Sequence, residues 1–386
     1  MSELLNGRWA ETKEALLEGL SGTKKSVMGV TLENTRKYLV ESPTAGATSA
    51  GNVATLNRVI LPVIRRVMPT VIANELVGVQ PMTGPVGQIH TLRVRYADSS
   101  NSTTAGEEAL SPFKIAEAYS GNDASPAKAA STATLEGAAG KRMSIQILKQ
   151  TVEAKTRKLS ARWTFEAAQD AQAQQGIDIE AEVMAALAQE ITAEIDQEIL
   201  ASLGSLAGTA VEAYDQNAVS GTATFVGDEH AALAVQINRV ANLIAQRTRR
   251  GAGNWAVVSP FALTILQSAT TSAFARTTEG TFEAPTNTKF VGTLNNAMKV
   301  YVNTYAADTT DVLIGYKGAS ESDAAAFYCP YIPLMSSGVV LDPSTFEPVV
   351  SFMTRYGYVE LSNTASSLGN AADYLGKVSI ANVSFK

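Results

Sequence analysis

Val77-Gly78-Val79-Gln80-Pro81-Met82-Thr83-Gly84-Pro85, followed by Gly87 through Tyr96, is the stretch on which the reading of this 386-residue chain turns. Gly78, Pro81, Gly84 and Pro85 crowd its first half, and residues of that kind make a stiff turn. The turn leads into Ile89-His90-Thr91-Leu92-Arg93-Val94-Arg95-Tyr96, where large apolar residues alternate with polar ones. A period of two marks a strand, here with one greasy and one basic face.

Working outward toward the C-terminus, residues 97–140 are rich in Ala, Ser, Gly and Asn and almost empty of large apolar side chains. Such a segment cannot supply a core of its own. Between strand-like flanks at Gln88 to Tyr96 and Lys141 to Lys158, it predicts a long projecting hairpin or loop. A helix is expected over Trp163 to Gln175, an interruption at Gly176, and Asp178 as the N-cap of a second helix. Ile179, Val183, Leu187, Ile191, Ile195 and Ile199 then recur every fourth residue, while Glu180, Glu182, Glu190, Glu194, Asp196 and Glu198 take mainly the other faces. That pattern predicts one long amphipathic helix over 178–203, packed on a sheet or on other helices and ended by Gly204 and Gly208.

Toward the N-terminus, Leu4, Leu5, Trp9, Leu16, Leu17 and Leu20 fall roughly on one helical face, and a second short helical pattern runs from about Thr31 to Val40. Ser42 to Asn52 is small and polar, a linker by composition. Val53, Leu56, Ile60, Ile64 and Val67 repeat at helical spacing until Pro69 stops them. After about Glu212 the texture is mixed. A helix is expected over Ala231 to Gln246, with strands at Trp255 to Val258, Lys299 to Val302 and Asp311 to Tyr316. Val349 to Glu360 and Lys377 to Lys386 read as strand-rich. The fold class is α+β: a discontinuous domain carrying the long helix, with a second domain inserted at about 216–344.

Composition narrows the function. Charged residues make up 18% and hydrophobic ones 45%, against about a quarter charged in ordinary soluble domains. A surface so poor in charge fits a chain that buries much of itself against copies of itself. The net charge of −6 gives the whole chain no nucleic-acid footprint. The single cysteine, Cys329, allows no internal disulfide framework. No apolar run approaches the roughly 18 residues that span a bilayer, and the first twenty residues lack a signal-peptide core. These features lead us to expect a soluble protein made inside the cell.

Catalytic and ligand-binding patterns are weak. His90 and His230 are the two histidines, and with one cysteine they offer no zinc spacing. We expect no metal and no cofactor. Gly137-Ala138-Ala139-Gly140-Lys141-Arg142 lacks the spacing and the hydroxyl of a phosphate-binding loop. Gly251-Ala252-Gly253-Asn254-Trp255-Ala256 precedes a strand instead of a helix, the reverse of a dinucleotide-binding turn. Arg247-Thr248-Arg249-Arg250 is the densest basic cluster; it suits a helix C-terminus, and nucleic acid or carboxylates of a neighbouring subunit are its other possible partners. No nucleophile elbow is present, and the chain does not read as an enzyme.

Several blocks, in order, resemble the major capsid proteins of T-even-type contractile-tailed phages. They include Val77 to Pro85 with Gly87, Val152 to Leu159, Glu166 to Asp170 running into Gly176-Ile177-Asp178, Arg250 to Asn254, Gly315-Tyr316-Lys317-Gly318, Asp323-Ala324, Tyr328-Cys329-Pro330-Tyr331 and Thr354-Arg355-Tyr356-Gly357. Glu3 to Asn6 and Leu16-Leu17-Glu18-Gly19 extend the likeness to the N-terminus. The resemblance implies the tailed-phage capsid fold. Residues 1–55 would be an N-terminal arm with a cleavable segment 1–41, 88–158 an extended loop, 56–87 with 159–215 and 345–386 a peripheral domain built on the long helix, and 216–344 an axial domain. It implies hexamers and pentamers that close into an icosahedral shell around double-stranded DNA, without sequence-specific binding, in a virion assembled in the bacterial cytoplasm.

The same resemblance implies a scaffold, a prohead protease and a portal as partners. The protease would cut at Leu39-Val40-Glu41-Ser42, between Glu41 and Ser42. The globular insertion that larger members carry in the extended loop is missing here, so a separate vertex or cement protein takes on importance. Arg93, Arg95, Lys155 and Arg157, near the base of the loop, are expected to pair with acidic residues of a neighbouring subunit. A cellular encapsulin-type nanocompartment is the rival shell, and a soluble α/β enzyme is the more distant alternative.

Overall fold

The helical pattern expected from about Thr31 to Val40 is the C-terminal half of a longer helix. In the computed structural model α1 spans Gly22–Glu41. The structure describes residues 9, 13, 14, 17, 22–41, 72–100, 103–107, 109, 119–121, 129–137, 139–175, 178–216, 226–269, 274–276, 289–295, 297–307, 311–321, 323–361 and 371–383. Most of the expected first helix, the 42–52 linker, the 53–67 helix and Ser42 lie outside the described residues. Val27, Met28 and Leu32 of α1 are buried in the main core, so this segment packs as part of the fold.

After α2 (Ala73–Leu76) and the two-residue β1 (Gly78–Val79), the expected strand forms as β2 (Val86–Tyr96). A one-turn helix α3 (Thr132–Leu135) sits in the small-residue stretch, and β3 (Met143–Glu153) returns antiparallel to β2 over eleven residue pairs, Val86 opposite Glu153 to Tyr96 opposite Met143. The hairpin is therefore real. The stretch inside it is not wholly without a core: Tyr96, Ala109 and Tyr119 bury one another, with the Tyr rings 4.6 Å apart. The strand-like run expected up to Lys158 breaks at Ala154, whose N–H donates to the Pro85 carbonyl. From there β4 (Lys155–Arg162) leaves the hairpin for a different sheet.

α4 (Phe165–Gln175) leads to α5 (Ile179–Leu206). Asp178 caps α5 by accepting the Glu180 N–H, and Gly208 follows its end at a φ of +68°. Gly204 lies inside the helix. Leu187, Ile191, Ile195, Ile199 and Leu203 are buried, as their four-residue spacing requires, and the helix packs on β4 and on β13 (introduced below) of the five-stranded sheet.

The rest of the chain builds a seven-stranded sheet and completes the five-stranded one. In order come β5 (Glu212–Asp215), α6 (Val226–Thr248), β6 (Trp255–Val258), α7 (Pro260–Ser268), β7 (Phe274–Arg276), β8 (Lys289–Leu294), β9 (Met298–Val302) and β10 (Val312–Gly315). Then follow β11 (Ala326–Ser336), β12 (Val340–Leu341), β13 (Pro348–Glu360), a 3-10 turn (Ala371–Tyr374) and β14 (Leu375–Ala381). The larger sheet runs β5-β14-β10-β6-β9-β8-β7, with Leu233, Ile237, Val240 and Ile244 of α6 packed on it. The smaller runs β1-β11-β13-β12, with β4 also on β13.

Four strands thus sit in the other sheet from the one the division at 216–344 gives them: β11 and β12 in the smaller sheet, β5 and β14 in the larger. β11 pairs with β13 in the sheet under α5, and β14 lies between β5 and β10 of the larger sheet. The chain crosses between the sheets twice near its end, and strand pairing, not sequence continuity, decides membership.

Candidate functional site

The opening motif is a strip laid along β11. Gly78 and Val79 pair in parallel with Phe327 and Tyr328, and the strip continues with Gln80 N–H to the Tyr328 oxygen and Met82 N–H to the Pro330 oxygen, both at 3.0 Å. Only glycine fits at 78: a Cβ there would lie 2.3 Å from the Glu321 carbonyl oxygen and 2.8 Å from the Phe327 ring. The Met82 side chain joins Phe327, Cys329 and Val152 in a small core at the base of the hairpin. Asn34 of α1, itself buried, donates to the carbonyl oxygens of both Met82 and Tyr331.

Segments far apart in sequence meet beside this strip. Arg250 pairs with Asp323 at 2.6 Å. Asn254 donates to the Lys317 oxygen and accepts from the Lys317 N–H. The Lys317 ammonium reaches the Asn74 oxygen at 2.8 Å and the Glu321 carboxylate at 3.3 Å, and that carboxylate accepts the Val79 N–H at 2.9 Å. This network ties β6 and β10 of the larger sheet to β1 of the smaller. The glycines of these segments serve close packing. A Cβ on Gly251 would strike the Tyr316 ring, and one on Gly253 would press on Ile314 and Ala241. The partner of Arg250 in the basic cluster is thus a carboxylate of its own chain.

His90 lies exposed on β2. His230 is buried with Nδ1 2.5 Å from Ser268 Oγ, and burial pushes its pKa down. Among the described residues, no cluster of three or more His, Cys, Asp or Glu could hold a metal, and no helix is long and apolar enough to cross a membrane.

The four basic residues near the hairpin base are not equivalent. Arg93 stands opposite Gln146 and Arg95 opposite Ser144 in the β2–β3 register. Lys155 begins β4 on an exposed position. Arg157 faces α5 and is engaged within its own chain: Nη1 with Glu194 at 2.6 Å, Nη2 with Glu198 at 2.5 Å, and Nε with the Tyr356 hydroxyl at 2.6 Å. Tyr356 in turn donates to Glu198. Burial opposes the charges, but the hydrogen bonds outweigh it, holding the Arg157 pKa up and the Glu198 pKa down. The acids expected from a neighbour are, for Arg157, acids of the helix beneath it, because odd-numbered positions of β4 point that way. Glu41 is the last residue of α1.

Surface the chain leaves uncovered was not legible from spacing alone. Met143, Ile145 and Ile147 stand at alternate positions of β3, hence on one face, with Ile145 69% exposed. At the turn between β12 and β13, Phe346 is 70% exposed, with Phe165, Val339, Val340 and Leu341 also exposed. Large contiguous apolar patches on a soluble chain mark contact surfaces.

A projecting hairpin, an apolar face left open on it, and a second apolar corner define a structural subunit built to be covered by other chains. The chain belongs to the Gp23 major capsid protein family, whose model matches residues 53–380. It is 30% identical to the major capsid protein of Vibrio phage KVP40 over 421 aligned residues, covering 85% of this chain and 81% of that one. The major capsid protein of Enterobacteria phage T4 is likewise 30% identical, covering 83% and 78%. Among solved structures, the capsid of Myoviridae phage XM1 aligns at a TM-score of 0.45 and 11% identity, covering 81% and 91%. The chain is a major capsid protein of the T4-like kind, a structural component of the phage head.

Proposed function

We propose that copies of this chain close into hexamers and pentamers by head-to-tail contacts, each subunit offering different surfaces to its two neighbours, and that these rings tile an icosahedral shell around the phage genome. The hairpin from Val86 to Glu153 forms the strap that reaches across to a neighbour. The five-stranded sheet with α5 takes the peripheral position in the ring and the seven-stranded sheet the axial one. The observation that carries this reading is the β2–β3 hairpin, whose apolar stripe on β3 is left open by its own subunit.

Arg93 and Arg95 meet acidic residues of the neighbour, while Arg157, with Lys155 adding its charge near Glu198, braces the strap's base on its own long helix. Assembly proceeds in the host cytoplasm on a scaffold, with a portal, a prohead protease that cuts between Glu41 and Ser42, and vertex or cement proteins as further partners. Net acidity suits a container, since basic walls would hold DNA through its phosphates. Many weak interfaces acting together give the shell its stability.

Negative-stain microscopy of purified particles, with the intact mass of the chain in the same sample, tests this. Icosahedral shells of a chain starting at Ser42 support both the assembly and the cut. Shells of chain that retains residues 1–41 discard the cut alone. A chain that stays dispersed with scaffold supplied overturns the assembly reading.

A further inference from the structure

We propose that the Gln197–Asn303 amide pair is a releasable latch across a cleft between α5 and the seven-stranded sheet, and that releasing it changes the angle between the two sheets so that one chain fits rings of five and of six. The inference rests on the reading of the chain as the subunit of both rings and adds where that subunit bends. Three successive residues of α5 reach three different segments. Asp196 accepts the Ile72 N–H, Glu198 holds Arg157 of β4 and Tyr356 of β13, and Gln197 reaches Asn303 at the end of β9. The Gln197 amide donates to Asn303 Oδ1 at 2.9 Å, and its oxygen accepts from Asn303 Nδ2 at 3.2 Å. Among the described residues this pair makes all the side-chain hydrogen bonds between α5 and the larger sheet. The helix packs on β4 and β13 more closely than on any strand of that sheet.

Empty space lies on both sides of the latch. A cavity of about 520 Å³ separates Leu200, Ala201 and Gly204 of α5 from Val257, Leu313 and Lys377 of the sheet, and another of about 510 Å³ opens beside Glu190 and Glu194. Gln197 and Tyr305 line both. Close packing does not explain Gly204, where a Cβ would meet nothing within 4 Å, although glycine weakens a helix interior. The other end of the same strands is clamped. There Lys317 reaches the Asn74 oxygen and Lys299 the Glu75 carboxylate, joining the larger sheet to the segment that runs into β1. Charge-assisted bonds of that kind are stronger than neutral ones, and an amide pair beside open cavities exchanges its bonds for water at little net cost. Asn303 lies four residues past Lys299 along β9, a lever of about 13 Å. A turn of about 10° about the clamped end moves Asn303 by about 2 Å, enough to part the amides.

The test labels the thiol of Val257→Cys in the unassembled full chain with N-ethylmaleimide, with and without Gln197→Ala, and reads positions 257 and 329 by mass spectrometry. Val257 is 6% exposed in the cleft wall, whereas Cys329 is 1% exposed in the small core at the hairpin base and reports global unfolding. Gln197→Ala is expected to raise the rate at 257 about tenfold, the worth of one to two neutral hydrogen bonds, and to leave Cys329 unchanged. Gly204→Leu, which puts a side chain into the cleft, is expected to lower it. Equal rates at 257 with and without Gln197, or a matching rise at Cys329, overturn the latch. A reconstruction of assembled shells tests the fit to two rings. The angle between the sheets is expected to differ between subunits in fives and in sixes, with the amide pair intact in one and parted in the other. One angle and an intact pair in every subunit overturn that fit. A chain that forms no shells overturns the ring reading itself, while the labelling rates still decide the latch.

Discussion

Asn34 Nδ2 donates to the Met82 carbonyl oxygen at 2.6 Å and to that of Tyr331 at 3.0 Å. One side-chain amide thereby fastens the arm helix to the opening motif and to β11. Replacing Asn34 by Ala leaves two carbonyls without that donor in a site closed to water, at a cost of about 1–3 kcal/mol. Thermal unfolding of the unassembled chain is expected to show a clear drop in midpoint for Asn34→Ala, and a comparable drop for Asn34→Asp, which offers acceptors where donors are needed.

The proposed cut after Glu41 would remove buried residues from the core. Val27, Met28 and Leu32 are nearly inaccessible and contact the main hydrophobic cluster. Their removal uncovers apolar surface worth roughly 1.5–3 kcal/mol per side chain. A chain comprising residues 42–386 is therefore expected to bind a hydrophobic dye strongly and to unfold at lower temperature than the full chain. Equal dye binding by the two would show that α1 covers nothing of consequence.

Arg157, Glu198 and Tyr356 form a closed triangle where β4 and β13 pack on α5. Glu198 has its pKa lowered in the fold, so its contribution is present above the ordinary value of 4.5 and is lost as pH falls through the lower folded value. Both charged side chains remain partly exposed, at 31% for Arg157 and 41% for Glu198, and solvent screening limits the pair to about 1 kcal/mol. Arg157→Gln is expected to lower the unfolding midpoint by about one degree at neutral pH and to shrink the loss on acidification. A double-mutant cycle with Glu198→Gln reads the coupling directly.

How much of this was legible in the sequence depended on which surfaces each element shows. The four-residue spacing of isoleucines announced α5 because that helix has one buried face. β6 was read with its observed limits because it is short, wholly apolar and flanked by Gly253 and Pro260. β11 went unread. It is buried on both faces over most of its length, so no alternation survives, and Pro330 and Pro333 argue against a strand. The structure absorbs them with register shifts after Pro330 and after Ile332. The network joining Asn74, Val79, Arg250, Asn254, Lys317, Glu321 and Asp323 exists only once two sheets are assembled. Its members are separated by up to about 250 residues, and spacing carries no trace of such contacts.

Asp196 is a buried acid on the apolar side of α5, 1% exposed, accepting the Ile72 N–H at Oδ1, while Oδ2 has no hydrogen-bond partner among the described residues. Burial pushes its pKa up from 3.8 to about 7, against the opposing effect of the Ile72 hydrogen bond. The folded state then binds a proton that the unfolded state has released, so stability falls as pH rises from about 4 to about 7 and levels off above that. Asp196→Asn keeps an oxygen for the Ile72 N–H and removes the charge. The variant is expected to unfold at a higher temperature than the parent at pH 8, to match it near pH 4, and to show a flattened stability profile between. Scanning unfolding midpoints of the two chains across that range checks it: a parallel pair of profiles would mean that Asp196 is ionised in the fold at the same pH as in the unfolded chain, through a contact that compensates its burial.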